Sequence, residues 1–145
     1  MSVPATGFEI PAATFAYLER SARSLSEAMA TPDVGMRYAH AHVAALQATA
    51  ALLAARARPV VRRGRPVQRN AWVLLARVAP ELAEWADFFA AGAAKRAAAE
   101  AGSRRAVTER EADDLVRDAD RFLGLVEETL GLTRHLPLPA RLAVG

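Results

Sequence analysis

The stretch Thr108-Glu109-Arg110-Glu111-Ala112-Asp113-Asp114-Leu115-Val116-Arg117-Asp118-Ala119-Asp120-Arg121-Phe122-Leu123-Gly124-Leu125-Val126-Glu127-Glu128-Thr129-Leu130-Gly131 decides the fold class. Its apolar residues Ala112, Leu115, Val116, Ala119, Phe122, Leu123, Val126 and Leu130 recur at steps of three and four. That spacing lines one face of an α-helix. The segment also carries its own punctuation. Thr108 and Glu111 form a capping box, in which each side chain satisfies a backbone N–H that the first turn leaves unpaired. Gly131 is placed to end the helix, because glycine enters the left-handed conformation of a helix terminus without a steric cost. This is the cleanest amphipathic pattern in the chain.

The same reading extends upstream. Ala71, Leu74, Leu75, Val78, Leu82, Trp85 and Phe89 continue one stripe across Pro80. The surviving period predicts a kinked helix or two abutting helices from about Val67 to about Ala99, with Gly102 as the stop. Tyr38, Ala41, Ala45, Thr49, Leu52 and Leu53 form the inner stripe of an earlier helix running to about Arg56. Thr31-Pro32-Asp33 supplies its start, with threonine as cap, proline in the first turn and aspartate at the positive end of the dipole. A first helix from about Pro11 carries Phe15, Leu18, Ala22, Leu25 and Met29 inward. Residues 1–10 read as a loose arm, 11–131 as the helical domain and 132–145 as a tail bearing Pro137 and Pro139. The expectation is an all-α domain, an antiparallel bundle of four to five helices.

Composition agrees with this. Alanine, leucine, arginine and glutamate favour helix, and 52% hydrophobic residues in 145 suffice for one core. Cysteine is absent, which removes disulfides, thiolate metal sites and cysteine nucleophiles. The most apolar stretch, Tyr38 to Ala55, is mostly alanine and includes His40, His42 and Gln47, so no membrane span or secretory leader is expected. The protein reads as cytoplasmic.

Charge is unevenly spread. No acid occurs between Asp33 and Glu81, an interval with eight arginines: Arg37, Arg56, Arg58, Arg62, Arg63, Arg65, Arg69 and Arg77. The whole chain is only +3. Six of these arginines fall in the segment Arg56–Arg69, broken by Pro59, Gly64 and Pro66, which reads as an exposed basic loop. Such a block suits a polyanion, or else it meets the acidic last helix or is simply solvated. No aromatics alternate with these arginines, so phosphate contact without base reading is the expectation.

Three segments resemble the HEPN superfamily as it occurs in actinobacteria. They are Arg37-Tyr38-Ala39-His40-Ala41-His42 with its alanine–leucine continuation, Arg69-Asn70 at the opening of the third helix, and Glu111–Leu115 through Phe122–Glu127. The resemblance implies a short helical bundle, often dimeric. It also implies one of two activities: metal-independent RNA cleavage by an arginine, four to six other residues and then a histidine, or binding of nucleic acid or a protein partner. Arg69-Asn70 matches the start of that motif, but Leu74, Leu75 and Ala76 stand where the histidine belongs. Arg37 and His42 have the spacing on the second helix instead.

RNA cleavage without metal requires a base for the 2′-hydroxyl proton and a cation for the phosphorane, tasks suited to histidine and arginine. Arg37, His40 and His42 are the catalytic candidates. On one helix, residues five apart diverge by roughly 140°, so Arg37 faces His40 better than His42. The alternative for His42 is a core histidine bonded to a neighbouring acceptor, and for His40 a solvated residue. His135, in the tail, is expected to be inert. Glu111, Asp114 and Asp118 read as a salt-bridged face with Arg110, Arg117 and Arg121, including an Asp113–Arg117 pair, and no metal or cofactor is expected. The nucleic-acid-binding candidates are Arg56, Arg58, Arg62, Arg63, Arg65, Arg69 and Asn70. Three functions remain open: a nucleic-acid-associated domain, RNA before DNA, with weak or absent ribonuclease activity, a non-enzymatic adaptor for a nucleic-acid enzyme or nucleotidyltransferase-like protein, or an active ribonuclease toxin. A homodimer is expected.

Overall fold

The computed structural model describes residues 9–56 and 71–136, and every regular element among them is helical. The order is α1 (Ala12–Ala30), α2 (Val34–Arg56), α3 (Ala71–Val78), a 3-10 turn (Pro80–Leu82), α4 (Ala83–Ala91), α5 (Ala93–Glu100) and α6 (Glu109–Thr129). This is the expected all-α bundle. The third rod is jointed into three short helices, because Pro80 breaks the helix at one point and Gly92 at another. The start near Val67 lies outside the described residues, as do 1–8 and 137–145.

α2 is the central element, packed by α1, α3, α5 and α6. Its alanines Ala41, Ala44, Ala45, Ala48 and Ala51 are fully buried, together with Leu52. A helix surface this small lets neighbouring helices approach closely, and it dictates what they can present. α1 meets α2 with hydroxyls. Thr14 Oγ1 donates to the Ala51 carbonyl at 2.9 Å, Ser21 Oγ to the Ala44 carbonyl at 2.7 Å and Ser24 Oγ to Gln47 Oε1 at 2.8 Å. The buried line of α1 is therefore Thr14, Leu18, Ser21, Ser24, Leu25 and Ala28. Phe15 and Ala22, expected inside, face outward, and Phe15 is 49% exposed. The short polar side chains fit where phenylalanine does not, and their hydroxyls are satisfied.

The caps also differ in part. Asp33, not Thr31, caps α2, accepting from the Met36 N–H at 2.9 Å. Thr31 closes α1, its hydroxyl donating to the Glu27 carbonyl at 2.6 Å. At α6 the capping box is formed: the Glu111 N–H donates to Thr108 Oγ1 at 3.1 Å and the Thr108 N–H to Glu111 Oε1 at 2.9 Å. The helix ends on Gly131, whose φ of 77° allows the Leu132 N–H to reach the Glu127 carbonyl at 2.8 Å. Every residue assigned to the inner face of α6 is buried.

The large anchors gather where α3, α4 and α6 meet. Phe89 and Phe122 are fully buried with ring centroids 5.1 Å apart, and Trp85 and Trp72 stack on Phe89 from the sides. The α1–α2 contact yields a direct test. Ser21→Leu should destabilise the fold by about 1–3 kcal/mol through overpacking. Ala22→Leu, one position away on the exposed face, should stay within about 0.5 kcal/mol. Urea-unfolding midpoints of the two variants check this, and equal losses would contradict the observed rotation of α1.

Candidate functional site

Arg37 lies one turn into α2, where the end of α1, the start of α2 and α6 converge. Its Nη1 donates to Asp113 Oδ1 at 2.7 Å, Nε to the Thr31 carbonyl at 3.1 Å and Nη2 to the Pro32 carbonyl at 3.2 Å. The guanidinium thus neutralises a carboxylate and satisfies two carbonyls at a helix junction. Asp113 is the partner here rather than of Arg117, which pairs with Asp114 at 2.9 Å. His40 points to α1, its Nδ1 3.7 Å from Glu27 Oε1.

His42 faces the interior and is 1% exposed. Its Nε2 lies 2.8 Å from the Phe89 carbonyl, an acceptor only, so Nε2 carries the proton and donates. The other nitrogen, Nδ1, therefore holds a lone pair, and Arg96 Nη1 points at it from 3.5 Å. Tyr38 stacks beside the imidazole while Trp72 and Phe89 meet it edge-on. Gly92 makes room for this arrangement, since a Cβ there would come within 2.7 Å of the Tyr38 hydroxyl. Burial holds the His42 pKa below its ordinary value, the Phe89 bond opposes this and the Arg96 charge adds to it.

The three catalytic candidates therefore address three neighbourhoods: Arg37 faces α6, His40 faces α1 and His42 faces α4 and α5. Each side chain has its own partner, and none of the hydrogen bonds or ion pairs among the described residues joins one candidate to another. The arginine beside His42 is Arg96, 54 residues away in sequence. Spacing along α2 gives no signal for it, because the pairing is made by the jointed third rod folding back.

Of the nucleic-acid-binding candidates, Arg56 is described, with Nη1 3.7 Å from Glu81 Oε2. Arg58, Arg62, Arg63, Arg65, Arg69 and Asn70 lie outside the described residues. Among the described residues no group of three His, Asp or Glu side chains is arranged to hold a metal ion. No helix among them is long and apolar enough to cross a membrane.

Among the described residues, His135, expected to be inert, has the most strongly shifted pKa. Its Nε2 donates to Asp120 Oδ1 at 2.5 Å and Nδ1 to Glu127 Oε1 at 2.7 Å, while its backbone N–H donates to Glu127 Oε1 at 3.0 Å. Asp120 is buried at 6% exposure. The Asp120 hydrogen bond, against burial and reinforced by Glu127, raises the His135 pKa to about 9. Residues just past Gly131 are thereby strapped to α6.

These helices and their arrangement define a class, the HEPN-type bundle. The SAV_6107-like HEPN family model matches residues 28–127, more than half of the chain, and the protein belongs to that family. No curated protein and no solved structure matches the chain.

The two histidines predict opposite pH effects. His135 binds its proton more tightly folded than unfolded, so its contribution is complete below about pH 6.5 and lost as pH rises through about 9. His42 binds its proton less tightly folded, so stability falls as pH drops below 6.5. Histidine NMR titration should place His135 near 9 and His42 below 6.5. In denaturation, His135→Asn should cost stability at pH 6 and almost none at pH 10 (about one unit past the folded pKa).

Proposed function

We propose that this HEPN domain is a nucleic-acid-associated binding module, taking RNA before DNA, acting as a homodimer and having weak or absent ribonuclease activity. HEPN domains are often nucleic-acid related and commonly dimerise. The observation that carries the reading is the state of His42. An imidazole that is 1% exposed, with one nitrogen donating to the Phe89 carbonyl and the other facing Arg96, has no open path to a 2′-hydroxyl. Arg37 is likewise committed to Asp113 and two carbonyls. Binding is assigned to Arg56, Arg58, Arg62, Arg63, Arg65, Arg69 and Asn70 within the acid-free interval, a set that suits the phosphate backbone irrespective of base.

The adaptor reading is favoured by one observation, the 47% exposure of Phe88. A protein complex held by apolar contact survives high salt, whereas phosphate binding weakens steeply with it.

The test is retention and cleavage of labelled RNA in EDTA. Wild type and His40→Ala should retain RNA without cutting it, with affinity falling as salt rises. Arg62→Ala/Arg63→Ala/Arg65→Ala should lose roughly two to three counterions of salt dependence, at about 0.7–0.9 per phosphate contact, and most of the retention. Unchanged retention in that variant would remove the binding assignment. Cleavage by wild type, lost in His42→Gln, would make the protein a ribonuclease.

A further inference from the structure

An open groove of about 320 Å³ lies between α4 and α6, lined by Glu84, Trp85, Phe88 and Asp118. Two of its walls are aromatic and meet at a right angle, with the Trp85 and Phe88 rings 6.5 Å apart and 89° between their planes. Trp85 is held from behind by stacking on Phe89 at 5.9 Å and by Phe122 at 5.6 Å, so this wall is rigid. Phe88 is nearly half exposed.

The remaining walls carry carboxylates. Asp118 is half-buried, and that burial raises its pKa, so a cation arriving beside it is met by a poorly hydrated carboxylate. A guanidinium already reaches it: Arg121 Nη1 lies 3.4 Å from Asp118 Oδ1, from a side chain that is 61% exposed and weakly held. Aromatic faces attract cations through the ring quadrupole, and a flat guanidinium both stacks on a ring and forks two donors towards carboxylates. An alkylammonium does only part of this.

We propose that the α4–α6 groove binds the arginine side chain of a basic peptide segment in a partner protein, stacked on Trp85 and Phe88 and hydrogen-bonded to Glu84 and Asp118. Charge complementarity selects this occupant: Asp118 has only the exposed Arg121 beside it and Glu84 has no ion pair among the described residues, so a neutral apolar segment would leave Glu84 facing it without a counter-charge.

The test follows the Trp85 indole N–H by two-dimensional NMR while the full chain is titrated with acetyl-Gly-Gly-Arg-Gly-Gly-amide. The citrulline peptide, equal in shape but uncharged, serves as control. The arginine peptide should move the Trp85 resonance saturably and leave Trp72 still. The citrulline peptide should bind roughly 10- to 100-fold more weakly. Glu84→Gln, Asp118→Asn and Phe88→Ala should each weaken the arginine peptide several-fold with unchanged thermal unfolding. Equal binding of both peptides, or no movement of Trp85, would overturn the proposal. So would a dimer that sediments as a monomer in Phe88→Ala, because a second copy would then cover the groove. RNA retention is independent of all these outcomes.

Discussion

The close packing of α2 governs the rest of the molecule. Five alanines along it are fully buried, so its surface is nearly featureless and its backbone carbonyls lie close to its neighbours. A partner helix with large side chains would be held off and leave voids. α1 answers with Thr14, Ser21 and Ser24, whose hydroxyls gain acceptors on α2 that apolar side chains would ignore. Aromatic bulk is then supplied from the other side, by Trp72, Trp85, Phe89 and Phe122. The bundle is thus asymmetric, with a thin alanine–serine seam on one side of α2 and a thick aromatic wedge on the other.

That wedge decides what His42 can be. The imidazole sits where the alanine rod meets the aromatic wedge, and a histidine there must satisfy two nitrogens without water. The jointed third rod provides for both, the Phe89 carbonyl from the end of α4 and the Arg96 guanidinium from α5. An arginine beside a histidine is also what phosphodiester cleavage needs. What separates the structural pair from a catalytic one is access, since the chemistry of the groups is the same. Burial that lowers the imidazole pKa also leaves it 1% exposed to solvent.

The sequence spoke most clearly where amphipathicity was strongest. In α6 the caps, the buried face and the end were legible residue by residue, because large apolar and charged side chains alternate at helical period. In α1 the same method chose Phe15 and Ala22 over Thr14 and Ser21. Hydropathy ranks a phenylalanine above a serine, and only the alanine surface opposite reverses that order. The site was less legible for a related reason. Spacing brought Arg37, His40 and His42 to notice as neighbours along a helix, yet a helix turns neighbours towards different partners. Arg96, Asp113 and the Asp120–His135–Glu127 strap join residues far apart on the chain or beyond a helix end, and no local pattern encodes them.

Charge segregation completes the picture and follows from the same architecture. An alanine rod has no room for ion pairs at its buried contacts, so charge collects at its ends and on the outer faces of α4 and α6. Arg37 at one end of α2 takes Asp113, and Arg56 at the other faces Glu81. Two acids of α6 are matched within their own helix, Asp114 by Arg117 and Asp118 by Arg121, while Glu111 reaches Lys95 on α5 and Glu128 reaches Arg134 past the helix end. The α4–α6 groove, lined by Glu84 and Asp118, is the site proposed above for an outside cation. A domain whose core is held by small-residue packing rather than by charge can carry both signs on its outer faces at once.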